Sequence, residues 1–274
     1  MLPYLRVPDL LLLRANVFFG GWPKGDLSVH PFGLSVALGV WVGIGLTLRQ
    51  CRRRQLSLGA AQSFLIWLLA FGFVGGHVFD LIFYCPQCLA RSPLSLLRLW
   101  EGQSSFGGFA GAALGTWAWR FRSKMAVLPY AEAVSSAFPA AWFFGRLGCA
   151  MVHDHPGRLS SAWWAVAYPG AARLDMGLME ALGTLPLAFA FLWMRRKVRN
   201  DGFFLGLMCV YYAPLRFGLD FARARDMAGA DARYLQLTPA QWGCLGLFMV
   251  GVFSLAGARA RALRTVGGPG GLGR

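Results

Sequence analysis

Long apolar runs separated by short polar connections dominate the hydrophobic pattern of this chain. Several runs approach the roughly 20 residues that a helix needs to cross a bilayer, so the pattern predicts a bundle of about seven transmembrane helices. The third run is short and rich in glycine, which suits close helix packing or a partly re-entrant segment. The runs cover residues 32 to 48, 61 to 84, 105 to 119, 129 to 151, 176 to 194, 202 to 219 and 239 to 257.

Basic residues cluster at alternate connections between the runs. The positive-inside rule places these connections and the C-terminus in the cytoplasm, which predicts an N-out/C-in orientation. The opposite connections are longer and richer in Trp, Tyr, His and Asp, so we expect the chemistry at the outer face. The clusters are Arg49 with Arg52 to Arg54, Arg120 with Arg122 and Lys124, Arg195 to Lys197 with Arg199, and Arg259 with Arg261 and Arg264.

The composition agrees with an all-α integral membrane protein. Of the 274 residues 56% are apolar and 14% are charged, and the mean hydropathy is +0.48. A soluble domain is usually about half apolar and a quarter charged. The net charge of +15 lies in the short basic clusters rather than on a basic face with interleaved aromatics, so nucleic-acid binding is not expected. We expect one polytopic transmembrane domain over residues 1–266 and a disordered glycine-rich tail over 267–274.

Two arginines lie inside apolar runs, Arg146 in AAWFFGRLGCAM and Arg216 in YYAPLRFGLDFAR. Because a charge at that depth is costly, such arginines normally face a bundle interior or a wet cavity and hold an anion or a carboxylate. Two interpretations remain open: an ion pair that fixes helix packing, or a clamp for a phosphate group. Arg146 has no acidic residue within a turn on its own helix, so its partner must come from another helix or from a ligand.

Arg216, Asp220 and Arg223 follow the spacing i, i+4 and i+7, which places them on one face of a helix. Asp220 can therefore orient both guanidinium groups and leave the outer fork of Arg216 free for a ligand oxygen. The alternative interpretation is a self-satisfied ladder of ion pairs at the membrane edge.

Three histidines, His77, His153 and His155, are candidate general bases because imidazole titrates near neutral pH. His153 and His155 flank Asp154 at the outer end of the fourth run, where a polar interfacial turn is the alternative interpretation. His77 precedes Asp80 by three residues, and a buried hydrogen-bonded pair is the alternative there. Zinc typically needs three or four ligands of recognisable spacing, so neither a metal site nor a cofactor is expected.

Three segments occur in a fixed order along the chain: LRLWEGQSSFGGFAGAALG, FGRLGCAM and LRFGLDFAR. In this order and with this spacing they resemble the bacterial prolipoprotein diacylglyceryl transferase family. HPFGLSVALG near the start and the Gln241 region of the last run fit the same pattern. Members of that family move a diacylglyceryl group from phosphatidylglycerol to the lipobox cysteine thiol of a preprolipoprotein. The resemblance implies a transferase of the bacterial inner membrane whose active face points toward the periplasm.

The resemblance also implies roles for particular residues. Arg146 matches the arginine of the family's GRLGN signature and Arg216 its later essential arginine, so both are expected to be catalytic. Asp220 stands where the family usually has glutamate. Negative charge moves onto the departing phosphate as sulfur attacks the glyceryl carbon, and preorganised guanidinium groups stabilise that charge. The expected substrate-binding residues are Arg146, Arg216, Asp220, Arg223, Ser105 and Gly108.

Four positions depart from the family pattern. Gly107 replaces a histidine, Cys149 an asparagine, and Phe32 and Met179 each replace a tyrosine. The arginines expected to bind phosphate are kept, while much of the expected proton-handling set is replaced. A non-catalytic lipid-binding or assembly paralogue is therefore a second hypothesis.

A third hypothesis is a membrane redox or metal-handling protein that uses Cys85 and Cys88. These two cysteines form a CPQC motif just after the second run, where an extracytoplasmic disulfide could form and persist. A lone motif of this kind gives only weak support for redox catalysis, so we expect at most a local staple of the loop.

Overall fold

Helices make up most of the protein. A computed structural model describes residues 1–13, 27–98, 102–227 and 233–266. A short 3-10 helix spans Pro93–Leu97. The α-helices in these ranges are α1 (Pro31–Arg53), α2 (Leu58–Phe83), α3 (Pro86–Arg91), α4 (Ser105–Ser123), α5 (Leu128–Val152), α6 (Met176–Met194), α7 (Phe203–Asp220) and α8 (Pro239–Val266).

Each predicted apolar run coincides with a long helix, namely α1, α2 and α4 to α8. Within the described ranges, α1, α2, α6 and α8 are long and apolar enough to cross a membrane by length and composition. A mostly helical chain with several such helices is thus confirmed, while the count of seven spans and the N-out/C-in orientation stay predictions. The tail expected at 267–274 lies outside the described residues.

Short strands accompany the helices, and the all-α expectation did not include them. β1 (Leu10–Leu13) pairs antiparallel with β2 (Leu27–Val29). Between α5 and α6 the chain forms β3 (Pro156–Leu159), β4 (Val166–Tyr168) and β5 (Ala171–Asp175), an antiparallel sheet of order β3-β5-β4. These strands have three to five residues, too short for an alternating pattern to stand out from the loop sequence.

The three-stranded sheet contacts the chain that follows α7. Gly157 on β3 forms an antiparallel bridge with Arg223, just past the end of α7. Arg173 on β5 donates two hydrogen bonds to the carboxylate of Asp226, at 3.0 and 2.5 Å. This bidentate contact lowers the pKa of Asp226 to about 2. The sheet therefore fixes where α7 ends relative to α5 and α6.

Helices α2 and α4 approach each other through glycines. A Cβ atom built on Gly75 would lie 2.6 Å from the Cα atom of Gly111. A Cβ on Gly107 would lie 2.5 Å from the carbonyl oxygen of Gly75 and 3.0 Å from the Cα atom of Gly76. Small residues that let two backbones come this close are typical of packed transmembrane helices. The glycine-rich third run is therefore a continuous helix in close contact with α2.

Replacing Gly107 by histidine is expected to destabilise the protein, although it would restore the residue type that the family resemblance implies. The new side chain must push α2 away from α4, and overpacking of this kind costs about 3 kcal/mol. We expect a lower midpoint of thermal unfolding in detergent micelles. Gly246→Ala is the matched control, because a Cβ atom there meets nothing within 4 Å. Equal unfolding midpoints for Gly107→His and the control would show that α2 and α4 are not held this closely.

Helix α5 is the central element, because it packs against α1, α6 and α7. Near its start, Glu132 is fully buried and accepts hydrogen bonds from three backbone N–H groups at the beginning of α7. The donors are Gly202 at 3.0 Å, Phe204 at 2.7 Å and Leu205 at 3.1 Å. A carboxylate is favourable at this position because the N-terminus of a helix carries partial positive charge and unpaired N–H groups. Glu132 therefore sets the position of α7 relative to α5.

Replacing Glu132 by alanine is expected to lower the free energy of unfolding by about 3 kcal/mol, because the change leaves buried backbone donors without an acceptor. The measurement is unfolding in detergent followed by circular dichroism. Asp9→Ala, at a half-exposed carboxylate, is the control and should unfold like the wild type. An unaltered transition for Glu132→Ala would mean that other groups satisfy the start of α7.

Candidate functional site

Arg146 on α5 and Arg216 on α7 are both buried, and they meet at the carboxylate of Glu180 on α6. Arg146 Nε lies 3.1 Å from Glu180 Oε1, and Arg216 Nε lies 3.8 Å from Glu180 Oε2. One carboxylate thus lies between two guanidinium groups. The partner expected for Arg146 does come from another helix, and the two arginines share one site.

Aromatic side chains hold Glu180 in place. Trp142 Nε1 donates to Glu180 Oε1 at 3.3 Å, and the Tyr212 hydroxyl donates to the same oxygen at 2.5 Å. The guanidinium group of Arg146 also lies over the Trp142 ring, 4.5 Å from its centroid, in a cation–π contact. These contacts orient the carboxylate and both cations before any ligand binds.

Asp220 extends this site along α7, as the spacing of charged residues predicts. Arg216 Nη1 donates to Asp220 Oδ1 at 2.8 Å, and Arg223 Nε lies 3.9 Å from the same oxygen. The other oxygen, Oδ2, accepts a hydrogen bond from the hydroxyl of Thr238. Asp220 is fully buried, so this set of contacts compensates its charge.

A capping box at the start of α8 positions Thr238. The Gln241 backbone N–H donates to the Thr238 hydroxyl at 3.1 Å, and the Thr238 backbone N–H donates to Gln241 Oε1 at 3.0 Å. Gln241 Nε2 also donates to the backbone carbonyl of Phe217 on α7, at 3.2 Å. The end of α7 and the start of α8 are therefore locked around Asp220.

We call Arg146, Glu180, Arg216, Asp220 and Arg223 the arginine cluster. Glu180 lies between Arg146 and Arg216, and Asp220 lies between Arg216 and Arg223. Arg216 Nε is buried and has no hydrogen-bond acceptor among the described residues. An unmade hydrogen bond on a buried charged group costs at least about 1 kcal/mol, so the site favours an additional anionic oxygen.

Ser105 at the start of α4 also reaches the cluster, because Arg146 Nη2 donates to its hydroxyl at 2.5 Å. Gly108 is placed differently. A Cβ atom at Gly108 would point toward the carbonyl oxygen of Gly72 on α2, 3.7 Å away. The structure therefore brings Ser105 to the expected site and places Gly108 at the contact between α2 and α4. A role of Gly108 in substrate binding stays a prediction.

His77, one of the three candidate bases, is fully buried and holds neighbouring backbone. Its Nδ1 lies 3.2 Å from the carbonyl oxygen of Gly102, and its Nε2 lies 2.9 Å from that of Ser95. Both ring nitrogens face backbone carbonyl oxygens, so this imidazole holds Ser95 and Gly102 next to α2. The geometry favours a structural role for His77.

A carboxylate orients the ring of His153. Its Nδ1 lies 2.5 Å from Asp175 Oδ2, and the Tyr168 hydroxyl donates to the same oxygen at 2.8 Å. Burial, together with the Asp175 carboxylate, raises the pKa of the Tyr168 phenol, which stays a hydrogen-bond donor. Tyr4 stacks on the imidazole with ring centroids 4.6 Å apart. A carboxylate on Nδ1 orients the ring and leaves Nε2 as the proton-accepting atom.

His155, the third candidate, is half-buried and lies 2.7 Å from Asp154, measured from Nδ1 to Oδ1.

Cys85 and Cys88 form a disulfide at the start of α3. This bond agrees with the expected local staple of the loop that follows α2.

Glu180, Trp142 and Tyr212 are site residues that sequence reasoning did not assign. Glu180 had one available signal: like Glu132, it is a carboxylate inside an apolar run, and such a charge needs a partner. Trp142 and Tyr212 gave no signal, because aromatic residues are common throughout the helices.

Comparison with known proteins assigns the family. A family model described as prolipoprotein diacylglyceryl transferase matches residues 22–256, which is most of the chain. This protein belongs to the prolipoprotein diacylglyceryl transferase family. Its family is therefore one of transferase enzymes, as the resemblance of the three segments implied.

Curated relatives of this family member carry the name phosphatidylglycerol–prolipoprotein diacylglyceryl transferase. The relative from Chromohalobacter salexigens is 30% identical, over 74% of this chain and 78% of its own. The relative from Aromatoleum aromaticum is also 30% identical, over 86% of this chain and 93% of its own. A third, from Rhizobium meliloti, is 26% identical over 87% of this chain and 91% of its own.

Two departures of this transferase from the family pattern lie on or against α5, and one of them contacts the arginine cluster. Arg146 Nη1 donates to the sulfur of Cys149 at 3.9 Å. Phe32 on α1 packs against Gly148 on α5, where an added Cβ atom would lie 3.2 Å from its ring. Residue 149 therefore contacts the catalytic arginine candidate directly, and its change to cysteine alters the chemistry at that point.

Proposed function

We propose that this protein transfers a diacylglyceryl group from phosphatidylglycerol to the lipobox cysteine thiol of a preprolipoprotein. The family supports this reaction, and its curated relatives carry the name of this activity. The observation that carries the proposal is the buried Nε–H of Arg216, which has no hydrogen-bond acceptor among the described residues although it lies next to Arg146 and Glu180. A phosphodiester headgroup supplies the missing acceptor oxygen.

The arginine cluster acts on the leaving group. The acceptor sulfur forms a bond to the glyceryl carbon, and the bond from that carbon to the phosphate oxygen breaks. The electron pair leaves on the phosphate, which departs as glycerol phosphate. Arg146 and Arg216 stabilise this developing charge most effectively because their positions are fixed before the reaction and their surroundings exclude water. Asp220 and Arg223 hold the Arg216 guanidinium group at the required angle.

The thiol proton needs an acceptor, since an unperturbed cysteine has a pKa of about 8.5 and is mostly protonated at neutral pH. Of the three candidate bases, His153 has the most suitable arrangement, with Asp175 on Nδ1 and Nε2 left to accept the proton. It follows Arg146 by seven residues, which corresponds to about 10 Å along a helix axis. His153 therefore lies at the outer end of the helix that carries the catalytic arginine.

The proposal includes the membrane arrangement. Seven helices cross the bacterial cytoplasmic membrane, with the N-terminus outside and the arginine cluster opening toward the periplasm. Alternating basic connections support this orientation, because α5 begins after the basic cluster at 120–124 and ends at the histidine-rich turn. The secreted acceptor and the outer-leaflet lipid are both available on that side.

Complementation of a strain depleted of its own diacylglyceryl transferase tests the proposed function. We expect the wild-type chain to restore growth and lipoprotein maturation, and a chain with Arg216→Gln to fail at equal membrane abundance. Failure of a correctly inserted wild-type chain would contradict the proposal. Retention of phosphatidylglycerol without any product would instead favour the non-catalytic lipid-binding paralogue.

A further inference from the structure

Cys149, Asp154 and His155 come together at the outer end of α5. Each residue offers one ligand atom, and the three atoms lie within 4.8 Å of one another. The turn that brings them together depends on His153, which ends α5 with a left-handed φ of 53°. The chain consequently folds back over the last helical turn, and Met176 N–H holds it there by donating to the His155 carbonyl at 3.0 Å.

The three side chains form a set of ligands suited to zinc. A thiolate, an imidazole and a carboxylate are the groups that bind Zn²⁺ in proteins, and catalytic zinc sites use three protein ligands plus an open position. The thiolate and the carboxylate together also neutralise a divalent cation. Sequence spacing alone showed only the two histidines and Asp154. The contribution of Cys149, five residues before Asp154, becomes visible only in the folded chain.

The surroundings support a ligand at this point. Cys149 is 4% exposed, and its sulfur lies 3.9 Å from Arg146 Nη1. His155 Nδ1 is buried without a hydrogen bond of acceptable geometry, although Asp154 lies 2.7 Å away. A buried ring nitrogen and a buried sulfur therefore face the same small volume.

We propose that Cys149, Asp154 and His155 bind a zinc ion, and that the open coordination position takes the acceptor cysteine thiol. A thiol that coordinates zinc is deprotonated, which makes it a nucleophile at neutral pH. The proton leaves to His153 or to water as the sulfur binds the metal. The sulfur then attacks the glyceryl carbon, and the phosphate departs with the electron pair of the broken C–O bond.

This role for the metal rests on the proposed function, whereas the metal site itself does not. The site would supply thiol activation in a family member that has replaced several of the expected proton-handling residues, including the asparagine at position 149. The Cys149 sulfur contacts Arg146. An acceptor thiol bound to the same metal ion would therefore lie next to the group that binds the departing phosphate.

Cobalt binding to the purified full-length protein tests the site directly. With the Cys85–Cys88 disulfide left intact and Co²⁺ as the only added metal, we expect a sulfur-to-cobalt charge-transfer band at stoichiometric metal. Cys149→Ser should abolish the band, and Asp154→Asn and His155→Ala should each weaken cobalt binding at least about 10-fold. Cys209→Ala, at a buried cysteine of α7 outside the group, is the matched control and should keep the band. Absence of the band from the wild type, or its persistence in Cys149→Ser, would overturn the metal site.

Transfer assays separate the metal's role from the proposed function. Removal of the metal by a chelator should lower transfer from phosphatidylglycerol to a lipobox peptide at least about 10-fold, and Zn²⁺ should restore it. Undiminished transfer by metal-free protein would overturn the activating role and leave the proposed function intact. Cobalt binding in a protein that transfers nothing, with or without zinc, would leave the site intact and overturn the proposed function together with the activating role.

Discussion

Replacing Arg146 by alanine is expected to lower the rate of diacylglyceryl transfer by roughly 100- to 1000-fold, the usual loss when a preorganised donor to a developing negative charge is removed. Arg146 is buried and oriented by Glu180, Trp142 and Ser105, so no other side chain can move into its position without rearranging these contacts. The measurement is initial-rate transfer from labelled phosphatidylglycerol to a lipobox peptide.

Two further variants show whether the loss is specific. Arg146→Lys keeps the charge but not the planar fork of donors, so we expect it to restore only part of the rate. Arg120→Ala, at an exposed arginine near the end of α4, should transfer at the wild-type rate. Equal and robust transfer by the wild type and Arg146→Ala would exclude the role assigned to Arg146.

Replacing Glu180 by glutamine is expected to lower the free energy of unfolding by about 3 to 5 kcal/mol, because two buried guanidinium groups then lose the carboxylate between them. Asp220, the other carboxylate of the arginine cluster, already contacts Arg216 and Thr238 and cannot replace Glu180. Unfolding in detergent, monitored by circular dichroism and tryptophan fluorescence, gives the measurement.

A double variant tests the electrostatic origin of that effect. In Glu180→Gln with Arg146→Gln, one of the uncompensated charges is gone, so the double variant should be less destabilised than the sum of the two single changes. A Glu180→Gln protein as stable as the wild type, or strictly additive losses, would show that Glu180 does not hold the two cations together.

The long helices could be predicted from the sequence because an apolar run in a bilayer must satisfy its own backbone, which leaves the helix as the available element. The run at 176 to 194 coincides with α6, Met176–Met194. The face shared by Arg216, Asp220 and Arg223 could also be predicted, since it depends on helical spacing alone.

The partners of Arg146 could not be predicted in the same way. Glu180 lies on a different helix, and the rotation of α6 against α5 depends on packing among several helices rather than on a local period. The proximity of Cys149, Asp154 and His155 could not be predicted for a different reason. It depends on the left-handed conformation of His153, and that conformation is uncommon for a residue other than glycine.

A structure of the protein with bound phosphatidylglycerol, determined by electron cryomicroscopy, tests most directly whether the arginine cluster holds the lipid phosphate. We expect phosphate oxygens about 2.8 Å from guanidinium nitrogens of both Arg146 and Arg216, with Arg216 Nε among the donors. A lipid phosphate bound elsewhere, with Glu180 still lying between the two arginines and Arg216 Nε still without a hydrogen-bond acceptor, would contradict the account.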